Sequence, residues 1–169
     1  MAQVPTASQR ILAAISLLDP RPGERLLEIG CGTGQAIEAV LLAQPTAHVT
    51  AVDRSQTAVD RARIVNAGAL ADGRVSIALG DIDKGPVEPG GFDRAFCIRV
   101  NTFWTRPGTA LPHVVASLRT GGELWIIYDG PAQKTDEPIL RSLQDAGLHG
   151  VRSVRGEGAS ALVGRRANS

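Results

Sequence analysis

The chain has 169 residues, of which 43% are hydrophobic and 21% are charged, and its formal net charge is +1. This length suits one domain with a sizeable core, and the composition excludes a disordered chain. The near balance of charge gives no support for nucleic-acid binding by bulk electrostatics.

Two features of the sequence bear on the cellular location of the protein, namely its cysteines and its first apolar run. Cys31 and Cys97 do not make a disulfide framework, which favours a reduced environment. The apolar run at 11–18 is too short to span a membrane, and no charged leader precedes it. We therefore predict a soluble, cytoplasmic protein with no membrane contact.

The first predicted element is a helix. Ser8 can cap it, and its apolar face has helical spacing, formed by Ile11, Leu12, Ile15 and Leu18. The proline- and glycine-containing segment 19–23 ends the pattern. We expect this helix to cover one face of a sheet, and a role in a substrate lid is the alternative.

The central stretch is 25–35, R-L-L-E-I-G-C-G-T-G-Q. Its apolar residues, Leu26, Leu27 and Ile29, predict a buried strand. Glycines at positions 30, 32 and 34 allow a sharp turn and a close approach of ligand to backbone. A helix pattern follows at once. A strand, a tight glycine turn and a helix can present backbone N–H groups to a nucleotide-like ligand.

The glycine spacing departs from the dinucleotide fingerprint, which needs G-x-G-x-x-G. Here Gly34 arrives one residue early, and Gln35 stands where that fingerprint has glycine. Glu28 precedes the first glycine by two residues, and a carboxylate there repels a pyrophosphate but can engage a cationic ligand. A structural turn without any ligand is the alternative.

Two further strands end in acidic residues. The strand at 48–52 runs into Asp53, which follows Gly34 by 19 residues, close to the roughly 20 expected for a ribose-binding acid. Its two oxygens can accept from two hydroxyls together, whereas Ser55 is better placed to cap the next helix. The strand at 75–79 is followed by Gly80, Asp81 and Ile82.

Between and after these strands, helix patterns and strand patterns continue to alternate along the chain. One helix with an apolar face at Ala58, Ala62, Val65 and Ala69 is predicted before the third strand. A loop at 83–91 and a strand at 92–98 follow. A helix that runs to Leu118 and is ended by residues 120–122 precedes a strand at 123–128. The last predicted elements are a helix capped by Thr135 or Asp136 and two strands, at 150–155 and 159–164. Residues 165–169 are predicted to be a frayed tail.

The run from Glu28 to Gly34 resembles the first motif of the class I S-adenosylmethionine-dependent methyltransferases, and later motifs follow in that family's order across 25–165. The resemblance implies one α/β domain with a doubly wound, mostly parallel, seven-stranded sheet. Helices cover both faces, and a C-terminal antiparallel hairpin closes the sheet. The domain comprises a lead-in with the first helix (1–22), a Rossmann-like core (23–165) and a tail (166–169).

The resemblance also implies S-adenosyl-L-methionine as the cofactor. The glycine loop packs against the amino-acid and ribose portions in that family, an acid at the position of Asp53 holds the ribose, and one at Asp81 accepts from the adenine amino group. The residues it places at the cofactor are Glu28, Gly30, Cys31, Gly32, Gly34, Asp53, Arg54, Gly80, Asp81, Ile82 and Arg99.

The implied reaction is methyl transfer to an oxygen, nitrogen, sulfur or carbon nucleophile. Relatives that methylate amides or nucleobase amines carry Asn-Pro-Pro-Tyr after the fourth strand, and the segment 101–104 here, N-T-F-W, departs from it. A small-molecule acceptor is therefore predicted, with Asn101, Trp104 and Tyr128 lining its pocket; Trp104 as a core residue is the alternative. A reactive sulfonium needs positioning more than a base, so no catalytic residue is assigned, although Asp129 is one candidate base.

Two other functions remain open at this point: a nicotinamide (NAD)-dependent oxidoreductase, and a non-catalytic S-adenosylmethionine-binding regulatory protein. The three histidines lack ligand-like spacing, so no metal is predicted. The short chain has to select its acceptor with the first helix, the loops after the fourth and fifth strands, or a second subunit. A homodimer is thus left open.

Overall fold

The computed structural model describes residues 7–131 and 136–168. Seven strands form one sheet: β1 (Arg25–Ile29), β2 (His48–Asp53), β3 (Val75–Leu79), β4 (Phe92–Ile98), β5 (Leu118–Asp129), β6 (Leu148–Arg155) and β7 (Ala159–Arg166). Their order across the sheet is β3-β2-β1-β4-β5-β7-β6. The first five strands run parallel, and β7 is antiparallel to both β5 and β6. The predicted fold is confirmed.

Helices pack on both faces of this sheet. They are α1 (Gln9–Leu18), α2 (Gln35–Ala43), α3 (Gln56–Val65), α4 (Ala67–Ala71), α5 (Thr102–Thr105), α6 (Pro107–Ser117) and α7 (Asp136–Asp145). The core has two parts, one between the sheet and α1 to α3, and the other between the sheet and α5 to α7. No helix in the described part of the chain is long and apolar enough to cross a membrane.

Local capping follows the sequence prediction at α1 and α3. The Ser8 hydroxyl accepts from the Ile11 N–H at 3.4 Å, and the Ser55 hydroxyl accepts from the Ala58 N–H at 3.3 Å. For α7 the prediction of Asp136 as the cap was wrong, because Asp136 is the first residue within the helix, and the other predicted cap, Thr135, lies outside the described residues. The two serine caps satisfy N–H groups that a helix start leaves without a backbone partner.

Three predicted boundaries were wrong. The single helix predicted between β2 and β3 is broken at Asn66, whose buried side-chain amide donates to the carbonyls of Gly34 and Ala62. Strand β5 begins at Leu118, so the glycines of 120–122 lie within it, beside a register shift against β4. Strand β7 extends through Arg166, whose guanidinium donates to carbonyls at the end of α6, so the tail begins later than predicted.

Candidate functional site

A cavity of about 320 Å³ opens where the carboxyl ends of the first four strands meet. This is the edge of an open α/β sheet at which ligands bind. Its lining comes from four chain segments: Ile29, Gly30 and Gly32; Val52, Asp53 and Arg54; Gly80, Asp81, Ile82 and Asp83; and Ile98, Arg99, Val100, Asn101 and Thr102.

The three loop glycines have different neighbours. All have positive φ, at +75° for Gly30, +52° for Gly32 and +83° for Gly34. A Cβ on Gly34 would lie 2.6 Å from the Asn66 amide nitrogen and 2.9 Å from the Ala62 Cα, so this glycine lets α3 approach the loop. A Cβ on Gly32 would meet no atom of the described residues within 4 Å. Gly32 is thus the glycine whose missing side chain leaves space beside the cavity.

Asp53 holds the glycine loop in place. One of its carboxylate oxygens accepts from the Gly32 N–H at 2.9 Å, and the other accepts from the Ser55 N–H at 2.9 Å. Each carboxylate oxygen has a second lone pair, so Asp53 can still accept from two ligand hydroxyls. The loop and its acid are therefore preorganised around the cavity.

Glu28 is a buried acid with incomplete hydrogen bonding. Its side chain is 2% exposed, and its Oε2 atom has no hydrogen-bond partner among the residues that the structure describes. Burial, and then the negative charge of Asp53, raise its pKa well above the usual value. An orphaned buried carboxyl at this position fits a ligand that brings a cationic or N–H donor group.

Thiol chemistry does not fit this site. Burial, with the negative charges of Glu28 and Asp53 adding to it, raises the pKa of the Cys31 thiol to about 12. Burial also raises the pKa of Cys97, which is fully inaccessible. Both residues are neutral thiols at physiological pH, and the thiolate is the nucleophilic form.

Two aromatic side chains, Trp104 after β4 and Tyr128 in β5, contact each other. The rings of Trp104 and Tyr128 meet edge to face, with centroids 6.1 Å apart. The buried Tyr128 hydroxyl donates to Asp136 at 2.6 Å, and burial and this carboxylate raise the tyrosine pKa. Tyr128 is therefore a neutral hydrogen-bond donor and unsuited to act as a base.

Charged groups surround the same end of β5. The Asp129 Oδ2 atom lies 3.5 Å from the Arg99 Nη1 atom and 3.7 Å from the Arg10 Nη1 atom, so one carboxylate links α1, β4 and β5. Arg99 has φ +57°, a strained conformation for a residue with a side chain. Such strain is concentrated at functional sites, and here it directs the chain around the cavity.

The structure brings most of the predicted site residues together. Eight of those predicted at the cofactor line the cavity, namely Gly30, Gly32, Asp53, Arg54, Gly80, Asp81, Ile82 and Arg99. Glu28, Cys31 and Gly34 do not line it. Of the predicted acceptor residues, Asn101 lines the cavity, whereas Trp104 and Tyr128 do not.

Sequence reasoning missed Asp83 and Thr102, which also line the cavity. The only signal for Asp83 was its place two residues after Asp81, in a segment interpreted as a plain loop. No group of three or more His, Cys, Asp or Glu side chains with metal-site geometry occurs within 7–131 and 136–168.

The lining fits an adenosyl ligand with a cationic amino-acid portion. Acids at the ends of β2 and β3 can accept from ribose hydroxyls and an adenine amino group, and Gly32 leaves room for close approach. Glu28 does not line the cavity, but it stands one residue before the lining residue Ile29, and its Oε2 atom has no partner among the described residues. The third glycine of the dinucleotide fingerprint is missing from the turn, because Gln35 stands at that position.

Comparison with known proteins agrees with this chemistry. The family model described as "Methyltransferase domain" matches residues 27–126, more than half of the chain. The chain is 32% identical over 126 residues to an O-methyltransferase of Penicillium expansum, covering 73% of the chain and 45% of the relative. It is 31% identical over 113 residues to a 24-methylenesterol C-methyltransferase of Oryza sativa subsp. japonica, covering 67% of the chain and 31% of the relative. The chain therefore spans less than half the length of either curated relative.

A solved structure supports the fold. The S-adenosylmethionine-dependent O-methyltransferase of Thermotoga maritima superposes with a TM-score of 0.74 at 16% identity, covering all of this chain and 69% of the other. The matched family model, the sheet order and the cavity at the carboxyl edge agree: the chain belongs to the class I S-adenosylmethionine-dependent methyltransferases.

Proposed function

We propose that this protein transfers the methyl group of S-adenosylmethionine to a small-molecule acceptor. The observation that carries this proposal is the convergence of the glycine loop, Asp53 and Asp81 on one cavity at the carboxyl edge of the sheet. The formal net charge of +1 gives no support for nucleic-acid binding by bulk electrostatics. The curated relatives include one named for O-methylation and one for C-methylation of a sterol, which supports a small acceptor without identifying it.

The proposed roles of Asp53, Asp81 and Ile82 follow from the lining of the cavity, and that of Glu28, which lies outside the lining, follows from its unpaired oxygen. Asp53 accepts from the ribose hydroxyls while its bonds to the Gly32 and Ser55 N–H groups keep the carboxylate in place. Asp81 accepts from the adenine amino group, and Ile82 packs on the ring. Glu28 accepts from the amino-acid portion, which satisfies its orphaned oxygen. Each role uses an acceptor or an apolar surface that these residues supply.

The cofactor supplies an activated methyl group on a sulfonium. The chemical task of the chain is therefore to position the donor and the acceptor and to exclude water. Asn101 and Thr102 line the cavity at the end of β4, where the acceptor approaches. Trp104 and Tyr128 stand beside this segment and form an apolar wall with one hydroxyl already bound to Asp136.

No side chain is assigned as a base. The raised pKa of Tyr128 keeps its hydroxyl protonated, and the Asp129 carboxylate is engaged by two arginines. The acceptor therefore has to be a nucleophile in its ordinary protonation state, or to lose its proton to solvent. Catalysis is expected to come from alignment of donor and acceptor.

Calorimetric titration with S-adenosylhomocysteine, run beside NAD, tests the cofactor site. Saturable binding of S-adenosylhomocysteine alone is expected. Binding of NAD alone would overturn the proposal.

A second experiment tests the acceptor class. Purified protein with methyl-labelled cofactor is offered a panel of small phenols, amines, thiols and sterols, and separately RNA and a protein extract. Label in a small molecule supports the proposal, and label only in RNA or protein contradicts it.

A further inference from the structure

Asp83 makes several polar contacts that cofactor binding by itself does not require. Its side chain is 13% exposed, and it lines the cavity two residues after Asp81. Its own N–H donates to the Asp81 Oδ1 atom at 3.1 Å, so the two acids form one turn. The adenine-side loop is therefore tied to the position of the Asp83 side chain.

Among the described residues, the side-chain partners of the Asp83 carboxylate lie on one segment, 101–109. Its Oδ1 atom accepts from the hydroxyls of Thr102 at 3.2 Å and of Thr109 at 3.1 Å. Its Oδ2 atom lies 3.2 Å from the Arg106 guanidinium. The Thr109 hydroxyl is also placed to donate to the Arg106 carbonyl at 2.9 Å.

The segment 101–109 is held internally by backbone hydrogen bonds and by the Thr105 hydroxyl, which donates to the Asn101 carbonyl at 3.0 Å. It holds the short helix α5 and the start of α6, and neither helix has a side-chain cap of its own. It also carries Asn101 and Thr102, which line the cavity, and Trp104, which meets Tyr128. Asp83 thus adds, from outside the segment, polar contacts to three of its side chains, those of Thr102, Arg106 and Thr109.

We propose that Asp83 is a positioning residue that couples the adenine-side loop to the acceptor-side segment 101–109, so that cofactor binding orders the wall against which the acceptor is placed. A ligand that orders Asp81 also orders the Asp83 turn, and through its carboxylate the segment that carries Trp104. This inference rests on the proposed function, because it requires an adenosyl ligand at Asp81.

Tryptophan fluorescence can report this coupling. The chain has two tryptophans, Trp104 in the segment and Trp125 in β5. Addition of S-adenosylhomocysteine to the wild-type protein is expected to change the emission, and Trp104→Phe is expected to remove that change. Calorimetry on the same samples measures binding independently of the signal.

The test compares Asp83→Ala and Asp83→Asn with a matched change elsewhere. Asp72→Asn is the control, because Asp72 also pairs with an arginine, Arg74 at 2.8 Å, and does not line this cavity. Asp83→Ala is expected to bind S-adenosylhomocysteine about fivefold more weakly and to lose the Trp104 response. The Asp72→Asn protein should bind and respond as wild type.

The Asp83→Asn variant separates the hydrogen bonds of Asp83 from its ion pair, and it controls for misfolding because the side chain keeps its size. An asparagine at position 83 keeps an oxygen for the threonine hydroxyls but loses the ion pair with Arg106, so Asp83→Asn should retain part of the response. Arg106→Gln removes the same ion pair from the other side and should match it, and the double variant should be no worse than either single one.

The outcomes distinguish this inference from the proposed function. Saturable binding with an unchanged Trp104 response in Asp83→Asn and Asp83→Ala would overturn the inference and leave the cofactor site intact. Binding to wild type with no Trp104-dependent change would overturn it as well. A wild-type protein that fails to bind S-adenosylhomocysteine would overturn the proposed function, and this inference with it.

Discussion

Two buried glutamates four residues apart have opposite environments. Glu24, just before β1, is 7% exposed, and both of its carboxylate oxygens bond to the Arg94 guanidinium, at 2.5 and 2.6 Å. Glu28, within β1, is 2% exposed and has an oxygen with no partner in the described chain. The first lies at the amino edge of the sheet and the second at the carboxyl edge.

The amino edge is saturated with partners. Arg94 also donates to the Leu18 and Asp19 carbonyls, and its guanidinium lies 5.5 Å from the centre of the Trp125 ring. The Trp125 N–H in turn donates to Glu123 at 3.0 Å. A network with every group paired holds α1 against the sheet, whereas an unpaired acid is a place for a ligand. The two glutamates thus differ in hydrogen bonding: Glu24 at the amino edge has its partners within the protein, and Glu28 at the carboxyl edge has an oxygen without one among the described residues.

The largest effect is expected from Arg94→Met. This change leaves Glu24 buried without its cation, which costs about 3–5 kcal/mol of unfolding free energy. Chemical denaturation measures the loss. The control is the double change Glu24→Met with Arg94→Met, which removes both charges and should recover much of the stability. A double variant as unstable as the single one would contradict this account of the amino edge.

Replacement of Gly32 tests ligand binding at the carboxyl edge of the sheet in a protein that should stay folded. Gly32→Val should abolish S-adenosylhomocysteine binding, by more than about 100-fold or about 2.7 kcal/mol, because the new side chain enters the space beside the cavity. The protein should remain folded by circular dichroism, with a strain cost of about 1–2 kcal/mol from the positive φ.

Gly34→Val is the matched comparison, because the same side chain there meets Asn66 and Ala62. It should destabilise the whole protein. Retained binding in Gly32→Val would mean that the loop does not contact the cofactor.

Loss of the ribose acid should weaken binding by less. Asp53→Ala removes the acceptor for two hydroxyls and frees the Gly32 N–H, so we expect a loss of about 1.4–2.7 kcal/mol of binding free energy, roughly 10- to 100-fold in the dissociation constant. Calorimetry with S-adenosylhomocysteine measures it, and Asp72→Asn again serves as the control. Unchanged affinity would remove Asp53 from the site.

The smallest effect is expected from Glu28→Gln, and its sign depends on pH. The folded-state pKa of Glu28 is raised above the ordinary value of 4.5, so the unfolded chain loses this proton first and stability falls as pH rises above about 4.5. The glutamine variant lacks this loss. It should be about 1 kcal/mol more stable than wild type at pH 7, with no difference near pH 4.

Denaturation curves at both pH values measure this difference, and binding should move in the opposite direction. Glu28→Gln removes the carboxylate that receives the amino-acid portion of the cofactor, so affinity should fall about tenfold. A variant less stable than wild type at pH 7 would show that Glu28 already has its partner in the free protein.

Much of the fold was predictable because its signals are local. Ser8 and Ser55 cap helices three residues away, β3 has the predicted bounds, and Asp53 stands at a strand end read from alternation and spacing. The errors arose where distant contacts override a local pattern. Asn66 breaks a helix because its amide bonds to Gly34, 32 residues earlier.

The sequence by itself determined the order of strands and helices, the glycine turn, and the acids at three strand ends, because periodicity and capping depend on neighbouring residues. Only the tertiary structure decided which of these groups are satisfied. The pairing of Glu24 with Arg94 and the contacts of Asp83 with 102–109 join residues far apart in sequence. Glu28 is left with an unpaired oxygen by the same packing, because close contact between distant segments determines whether a buried polar group finds a partner.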